Sequence, residues 1–583
     1  MHTHPARSGS VLRTAALLSC LTFLAAPTSG YGQAKRMEPH AFLAEGRKGI
    51  VVGFTGPAAV HAGLQTLQAG GSAADAAMAT AMTQVVEAAG SYVSFAGILT
   101  MTYYDAATGK VYFLNAGYNT PREENDPLSI PGADPLNLAG KPPVHSGRTA
   151  LVPGFMAGVG AAHERFGKLP LARIFEPAIA LAEDGYKADA MLAGAVTYRK
   201  KVLSRLPETR RIFAHEDGTF VKAGERFRQP ELARTLRRAA AEGTAFLYRG
   251  EWARHFVDAV RQGGGKITLE DLKAYKAIWE EPVRTRFRGY EVFAPGFSSL
   301  GGVETVEALN LLSLADLRRY GPPATSGESL FWLMQITANQ RLSYLHAGDA
   351  ALPRGVDLSP RTRVTPEHAR RIWDRMQAGT WPYSAAKARP GSGPAHSSGV
   401  VAVDRWGNVA AVTHSINAVL WGATGIFVGG ISIPDSASFQ QEAMKRAGPG
   451  NRLPDPMSPL VVVRQGKPVL ASSAIGAGLH QKNIQALAGV LEFGLDAQAA
   501  VDAPAFLLPQ ADGARSVARV RQGAFDKKVL DAVRERGQQL KVVSVREDAI
   551  YRGYWIGVQI EPAAGRLRAA GSREVVPSHA EGY

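Results

Sequence analysis

Apolar residues recur at helical spacing over 57–69 (PAAVHAGLQTLQA), and the run stops at Gly70-Gly71, a helix C-cap signal. An Ala-rich stretch at 73–89 predicts a second helix. Two strand-like runs, 98–105 and 111–116, are joined by Ala-Ala-Thr-Gly-Lys and predict a hairpin. From about 150 to 380 the pattern is mainly helical, with helices at 156–166, 171–184, 230–241, 302–314 and 329–345. The segment 384–398 (SAAKARPGSGPAHSS) has no periodicity and reads as an exposed, flexible joint. Beyond it, paired strands follow: 399–404 with 409–416 across Trp406-Gly407-Asn408, 460–464 with 468–473 across Gln465-Gly466-Lys467, and 554–560 with 566–570. Helices are predicted at 480–492, 496–503 and 525–537, and there is no internal repeat. A helix-rich first part thus meets a strand-rich last part. Strands layered with helices in one core and two domains on a linker both fit that pattern.

Composition narrows the class. The chain has 583 residues, 45% hydrophobic and 20% charged, enough for a large buried core. The formal charge is +15, but Lys and Arg are spread along the chain. No helix-turn-helix, zinc-finger or RNP pattern is present, so a nucleic-acid partner is not expected. The single cysteine, Cys20, excludes an intramolecular disulfide framework and a Cys-based metal site. Residues 1–34 have the form of an export signal: Arg7 and Arg13, an apolar run over 15–26, then small residues up to Ala34. That run is shorter than the roughly 20 residues a spanning helix needs. The expectation is cleavage near Ala34 and a periplasmic or secreted protein with no stable membrane anchor and no remaining thiol. A lipoprotein reading through Leu17-Leu18-Ser19-Cys20 is weaker, because a bulky leucine precedes the serine.

The chain has no H-E-x-x-H, no G-x-x-x-x-G-K-[ST], no G-x-S-x-G and no EF-hand loop, and its 14 histidines show no ligand spacing. Neither a metal nor a cofactor is expected. The chemistry-bearing feature is His396-Ser397-Ser398, between the joint and a strand. If the peptide bond before such a serine breaks, its new α-amine can act as general base for its own hydroxyl. Ser-Ser before a strand is also ordinary loop composition.

The chain resembles the gamma-glutamyltransferase family, self-cleaving N-terminal-nucleophile hydrolases. Four blocks carry the resemblance, in order: LVPGFMAGVGAAHERFGKLPLARIFEPAIALAEDGY (151–186), PGFSSLGGVETVEALNLL (295–312), ANQRLSYLHAGD (338–349) and VVAVDRWGNVAAVTHSINAVLWGATGIF (400–427). It runs from about residue 49 to the C-terminus. It implies an α+β fold, a four-layer αββα N-terminal-nucleophile hydrolase sandwich shared by heavy and light chains. The family's threonine nucleophile stands seven residues before the Asp of the strand-turn block, and counting back from Asp404 gives Ser397, with Ser398 the fallback. Cleavage between His396 and Ser397 would leave a heavy chain of 35–396 and a light chain of 397–583 that stay associated. The resemblance also implies support of the nucleophile by Ser415, substrate binding by Asn417, and an oxyanion hole at Gly476 and Ala477.

The departures fall on substrate recognition. The family holds the α-carboxylate of a γ-glutamyl group with an arginine; Gly117 stands at that place, and the next arginine is Arg122. Its Ser-Ser pair before Met-Ser-Pro is replaced by Asp455-Pro456, and an aspartate repels a carboxylate. The acidic residue that holds the substrate amine aligns with Ser438, with Asp435 three residues earlier, and the glycine-rich segment reads GSYVSFAG (90–97). The expected activity is therefore hydrolysis or acyl transfer on a small amide other than glutathione, with a neutral or cationic acyl part near Asp435 or Asp455. The alternatives are a glutathione hydrolase proper and a degenerate binding protein that is not processed. A metal-dependent or triad hydrolase on another fold is the remotest reading.

Overall fold

The structure is a computed structural model that describes residues 42–132, 145–344, 356–381, 397–508, 517–573 and 578–583. The export signal, its cleavage point, His396 and residues 384–396 of the joint lie outside the described residues.

Two seven-stranded antiparallel sheets lie face to face. The first runs Ser578–Gly582, Ile50–Phe54, Ser398–Val403, Val409–Ser415, Ile98–Asp105, Lys110–Ala116, Ile278–Glu280. The second runs Ala44–Gly46, Arg566–Gly571, Tyr554–Glu561, Lys467–Ile475, Leu460–Arg464, Tyr290–Ala294, Val283–Phe287. Successive side chains on a strand face opposite ways, and here both faces are buried. Val401, Val403, Val409 and Ala411 pack between the sheets against Val461, Ala471, Ile475 and Ile556. Val400, Ala402, Ala410 and Val412 turn outward, onto helices that include Ala73–Glu87, Phe155–Phe166 and Leu171–Asp184. Helices Leu300–Ala315, Gly327–Ala338, Pro366–Gln377 and Leu479–Leu487 cover the second sheet in the same way. The result is the four-layer αββα sandwich. Each sheet is built from strands both before and after residue 397, so the chain closes one common core and is not two linked domains.

Most predicted elements are present within a few residues, and 98–105, 171–184 and 460–464 match end to end. Three differences matter. The helical stretch 150–380 also contains Ile278–Glu280, Val283–Phe287 and Tyr290–Ala294; the first two are edge strands, and in VRTRF the buried Val283 and Phe287 alternate with the exposed Arg284 and Arg286, a short strand pattern inside a stretch otherwise at helical spacing. The helix expected at 329–345 stops at Ala338 and tightens into the 3-10 turn Asn339–Tyr344. Ser397 and Ser398, expected at the end of an exposed joint, are 6% and 0% exposed, because the ladder with Val409–Ser415 already begins there.

Asp404 ties the strand pair to the helix layer. Its carboxylate accepts from the backbone N–H groups of Ala73 (2.9 Å), Trp406 (2.9 Å) and Asn408 (3.0 Å), and from Asn408 Nδ2 (2.8 Å). Gly407 closes the turn at φ +85°, a backbone that favours glycine. Asp404→Ala leaves four donors to find new partners. It is expected to destabilise the fold by about 3 kcal/mol, read by chemical denaturation. A change within the error of the midpoint contradicts this assignment.

Candidate functional site

The cross-strand register decides which serine faces where. Ser398 pairs with His414 on the neighbouring strand, so Ser397 stands beside Ser415. Residues 397, 399 and 401 share the inter-sheet face, as do 411, 413 and 415. Ser397 Oγ donates to Ser415 Oγ at 2.8 Å, and Ser415 Oγ also accepts the Asn417 N–H at 3.0 Å. Ser415 thereby has both acceptor positions filled and holds the Ser397 hydroxyl in one direction.

Ser398 and His414 face the helix layer instead. Ser398 Oγ lies 3.3 Å from Thr55 Oγ1, which lies 3.1 Å from the Tyr92 hydroxyl. His414 Nε2 is 2.7 Å from Gln84 Oε1, while Gln84 Nε2 donates to the carbonyls of Phe54 (2.5 Å) and Gly399 (3.0 Å). With its amide nitrogen donating twice, Gln84 presents its oxygen to the ring, so His414 carries its proton on Nε2. Burial pushes the His414 pKa down to about 3, and the ring stays neutral. Nothing in the sequence reading singled out His414 or Gln84; they are 330 residues apart in the chain.

Gly476 and Ala477 follow strand Lys467–Ile475 and lead into helix Leu479–Leu487. Gly476 has φ +88°, and a Cβ there would sit 2.8 Å from the Arg552 carbonyl. Only glycine suits both constraints. The strand before it carries Ser473, whose Oγ lies 2.7 Å from Thr413 Oγ1. A side chain at Gly399 would collide with that same hydroxyl. The second sheet is therefore pressed onto the first within two residues of Ser397. A turn opening a helix presents N–H groups and a positive dipole end, which suits a developing oxyanion.

Ile98, Tyr118, Ala437, Leu453 and Met457 form one buried apolar cluster; Asp435, Ser438 and Asp455 lie within two residues of its members along the chain, and Asn417 follows Ile416, whose carbonyl accepts from Tyr118. Ile98 is the cross-strand partner of Ser415. Tyr118 OH and Ser436 Oγ both donate to the Ile416 carbonyl, at 3.1 and 2.5 Å. Asn417 is held at φ +48° and is 6% exposed. Ser438 is buried, its N–H on the Asp435 carbonyl at 2.9 Å. Burial raises the Asp435 pKa to about 6, opposed by the nearby Arg199 guanidinium, and its Oδ1 has no partner. Burial raises Asp455 to about 7, although its Oδ1 accepts from Met457 N–H (2.9 Å) and Ser299 Oγ (3.3 Å).

The structure also brings in an arginine that the sequence reading missed. A Cβ at Gly117 would lie 3.2 Å from Arg452 Cδ. The Arg452 guanidinium donates to Asn115 O (2.7 Å), Asn115 Oδ1 (2.8 Å), Asn119 Oδ1 (2.6 Å) and Lys276 O (2.7 Å). Its signal was there, three residues before Asp455, but nothing local linked it to Gly117. Arg122 is no substitute: its side chain is largely exposed and lies 3.9 Å from Asp271.

A family description, Gamma-glutamyltranspeptidase, matches residues 59–570. The chain belongs to the gamma-glutamyltranspeptidase family. It is by class an N-terminal-nucleophile hydrolase or acyltransferase. It is 28% identical over 524 residues to the glutathione hydrolase proenzyme of Escherichia coli K12, covering 84% of this chain and 87% of that one. It is 30% identical over 467 residues to the glutathione hydrolase proenzyme of Pseudomonas aeruginosa, covering 75% and 79%. It is 27% identical over 482 residues to the acylase ACY 1 proenzyme of Pseudomonas sp. (strain SE83), covering 79% and 82%. The crystal structure of a cephalosporin acylase from Bacillus halodurans superposes with a TM-score of 0.75 at 22% identity, over 94% of this chain and 98% of that one, which establishes the shared fold.

Asp455 makes stability depend on pH. A carboxyl whose folded pKa is raised keeps its proton in the fold, while the unfolded chain releases it from about pH 4 upward. Its contribution is full below about pH 4 and falls as pH rises toward 7, on the order of 1 kcal/mol per pH unit. Asp455→Asn removes that loss. Its melting temperature should gain on wild type from pH 4 to pH 7.5 by calorimetry; a constant difference contradicts the raised pKa.

Proposed function

We propose that the protein is a self-processing amide hydrolase or acyltransferase in which Ser397, freed as an N-terminal residue, is the nucleophile. The observation that carries this reading is the Ser397–Ser415 hydrogen bond on the inter-sheet face, with Ser398 turned away into the helix layer. The α-amine of Ser397 takes the hydroxyl proton as Oγ bonds to the amide carbonyl carbon. Backbone N–H groups at Gly476 and Ala477 receive the oxyanion. The C–N bond then breaks, the leaving nitrogen takes the proton from the amine, and an acyl-enzyme ester remains. Water or an acceptor amine attacks that ester and restores Ser397. Donors of this kind contribute roughly 10²–10³-fold each in rate. In the precursor the Ser397 nitrogen is still the amide of the 396–397 bond, so attack of Ser397 Oγ on the carbonyl of residue 396 shifts the acyl chain from nitrogen to oxygen, the nitrogen taking the hydroxyl proton as it leaves, and water then hydrolyses the ester into chains 35–396 and 397–583.

The favoured substrate is a small amide other than glutathione. Gly117 offers no cation, Arg452 is engaged by four oxygen acceptors, and Asp455 opposes a carboxylate. The relatives' names favour a second reading, glutathione hydrolysis, but include an acylase. Export and release of residues 1–34 complete the proposed maturation.

Intact mass and N-terminal sequencing test the reading on wild type, Ser397→Ala and Ser398→Ala. Two chains in wild type and Ser398→Ala, the smaller beginning at residue 397, with one intact chain in Ser397→Ala, are expected. An intact wild-type chain contradicts it and leaves an unprocessed binding protein as the better account.

A further inference from the structure

The two sheets run in step, and this places the turn that follows strand Lys467–Ile475. Thr102 Oγ1 donates to the Pro459 carbonyl at 2.7 Å, and Thr100 Oγ1 reaches Met457 Sδ at 3.5 Å. Ile98, the next residue on that face, pairs with Ser415. In the second sheet Leu460 pairs with Ser472, and the same register sets Met457 opposite Ile475. Thr413 Oγ1 lies 2.7 Å from Ser473 Oγ, and Gly399 backs onto that hydroxyl. A step from 399 to 397 therefore runs alongside a step from 473 to 475, and the chain leaves its strand at Gly476 on the level of Ser397.

That turn is bonded into the helix after it. The Leu479 N–H donates to the Gly476 carbonyl at 3.2 Å, and the Lys482 N–H to the Gly478 carbonyl at 3.0 Å. The turn moves only with the first turn of helix Leu479–Leu487, and His480 holds that first turn from outside. Its Nε2 lies 2.6 Å from Glu304 Oε2 on helix Leu300–Ala315, and the two residues are 6% and 4% exposed. The pair is in contact without the alignment of a hydrogen bond, and among the described residues neither Glu304 oxygen has a hydrogen-bond partner. A buried carboxylate with one ionisable partner is held to it, because losing the partner leaves the charge uncompensated. Helix Leu300–Ala315 is itself anchored at this end: its Leu300 N–H donates to the Asp455 carbonyl at 2.8 Å, and a Cβ at Gly301 would strike the Met457 carbonyl. The next acid on that helix, Glu307, is committed elsewhere, to Arg363 Nη2 (2.6 Å) and His368 Nε2 (3.1 Å).

We propose that Glu304 and His480 are positioning residues: their contact ties the first turn of helix Leu479–Leu487 to helix Leu300–Ala315 and so keeps the N–H groups at 476 and 477 directed at the carbonyl that Ser397 attacks. This rests on Ser397 as the nucleophile and on that turn as the oxyanion site. Neither side chain touches the substrate. The carbonyl oxygen gains its charge only in the transition state, so an N–H turned aside slows the reaction without weakening substrate binding.

The test uses the purified full-length protein and hexanoyl p-nitroanilide, with kcat taken per mole of cleaved chain. Glu304→Gln and His480→Phe are each expected to lower kcat by about tenfold, with KM changed by less than about twofold. The double variant should be no slower than either single one, since both remove the same contact. The exchanged variant Glu304→His/His480→Glu should recover most of the rate. Glu307→Gln breaks a buried pair on the same helix and is the control: its melting temperature should fall while kcat stays within about twofold of wild type. An unchanged kcat in both single variants, losses that add in the double variant, or an equal loss in Glu307→Gln overturns the proposal. Should the single variants fail to fold, the exchanged variant decides: a kcat near wild type supports the pairing, and one as low as about a tenth overturns it. Failure of the Ser397 reading looks different: the wild-type chain stays uncleaved and turns over no anilide.

Discussion

Two apolar sheets can close on each other only if every polar group caught between them finds a partner there. Between these sheets the hydroxyl pairs Ser397–Ser415 and Thr413–Ser473 meet that constraint at one end of an otherwise Val, Ile and Ala interior. The rest of the site follows from it. Ser397 is held by its neighbour on the same sheet, and the turn at Gly476 is brought over by the opposite sheet. Behind this face, Gln84 ties Gly399 to Phe54 and a neutral His414 holds Gln84, so the nucleophile strand has no slack toward the helices.

Much of this was legible in the sequence because it is local. Apolar runs on either side of Trp406-Gly407-Asn408 marked 399–404 and 409–416, and the count of seven back from Asp404 reached Ser397, whose hydroxyl lies against Ser415. The pleat of the strand, once the register was known, separated Ser397 from Ser398. The edge strands at 278–280 and 283–287 were passed over because they are only three and five residues long inside a stretch otherwise at helical spacing, although VRTRF alternates buried Val283 and Phe287 with exposed Arg284 and Arg286. The Gln84–His414 pair and the packing of Arg452 beside Gly117 were not legible either. They join residues about 330 apart, and no local pattern encodes contacts of that range.

The substrate pocket shows the opposite balance between frame and chemistry. The sandwich agrees with the superposed acylase fold, and the chain as a whole with the family description. The positions that the resemblance assigns to substrate recognition carry glycine at 117, aspartate at 455 and serine at 438. Burial raises the pKa of both Asp435 and Asp455.

The measurement that bears most directly on the central claim is a peptide map of the protein quenched in acid during turnover of hexanoyl p-nitroanilide. The account predicts a single hexanoyl ester on Ser397, at the N-terminus of the smaller chain. An adduct on Ser398, or on any residue of the larger chain, would contradict it.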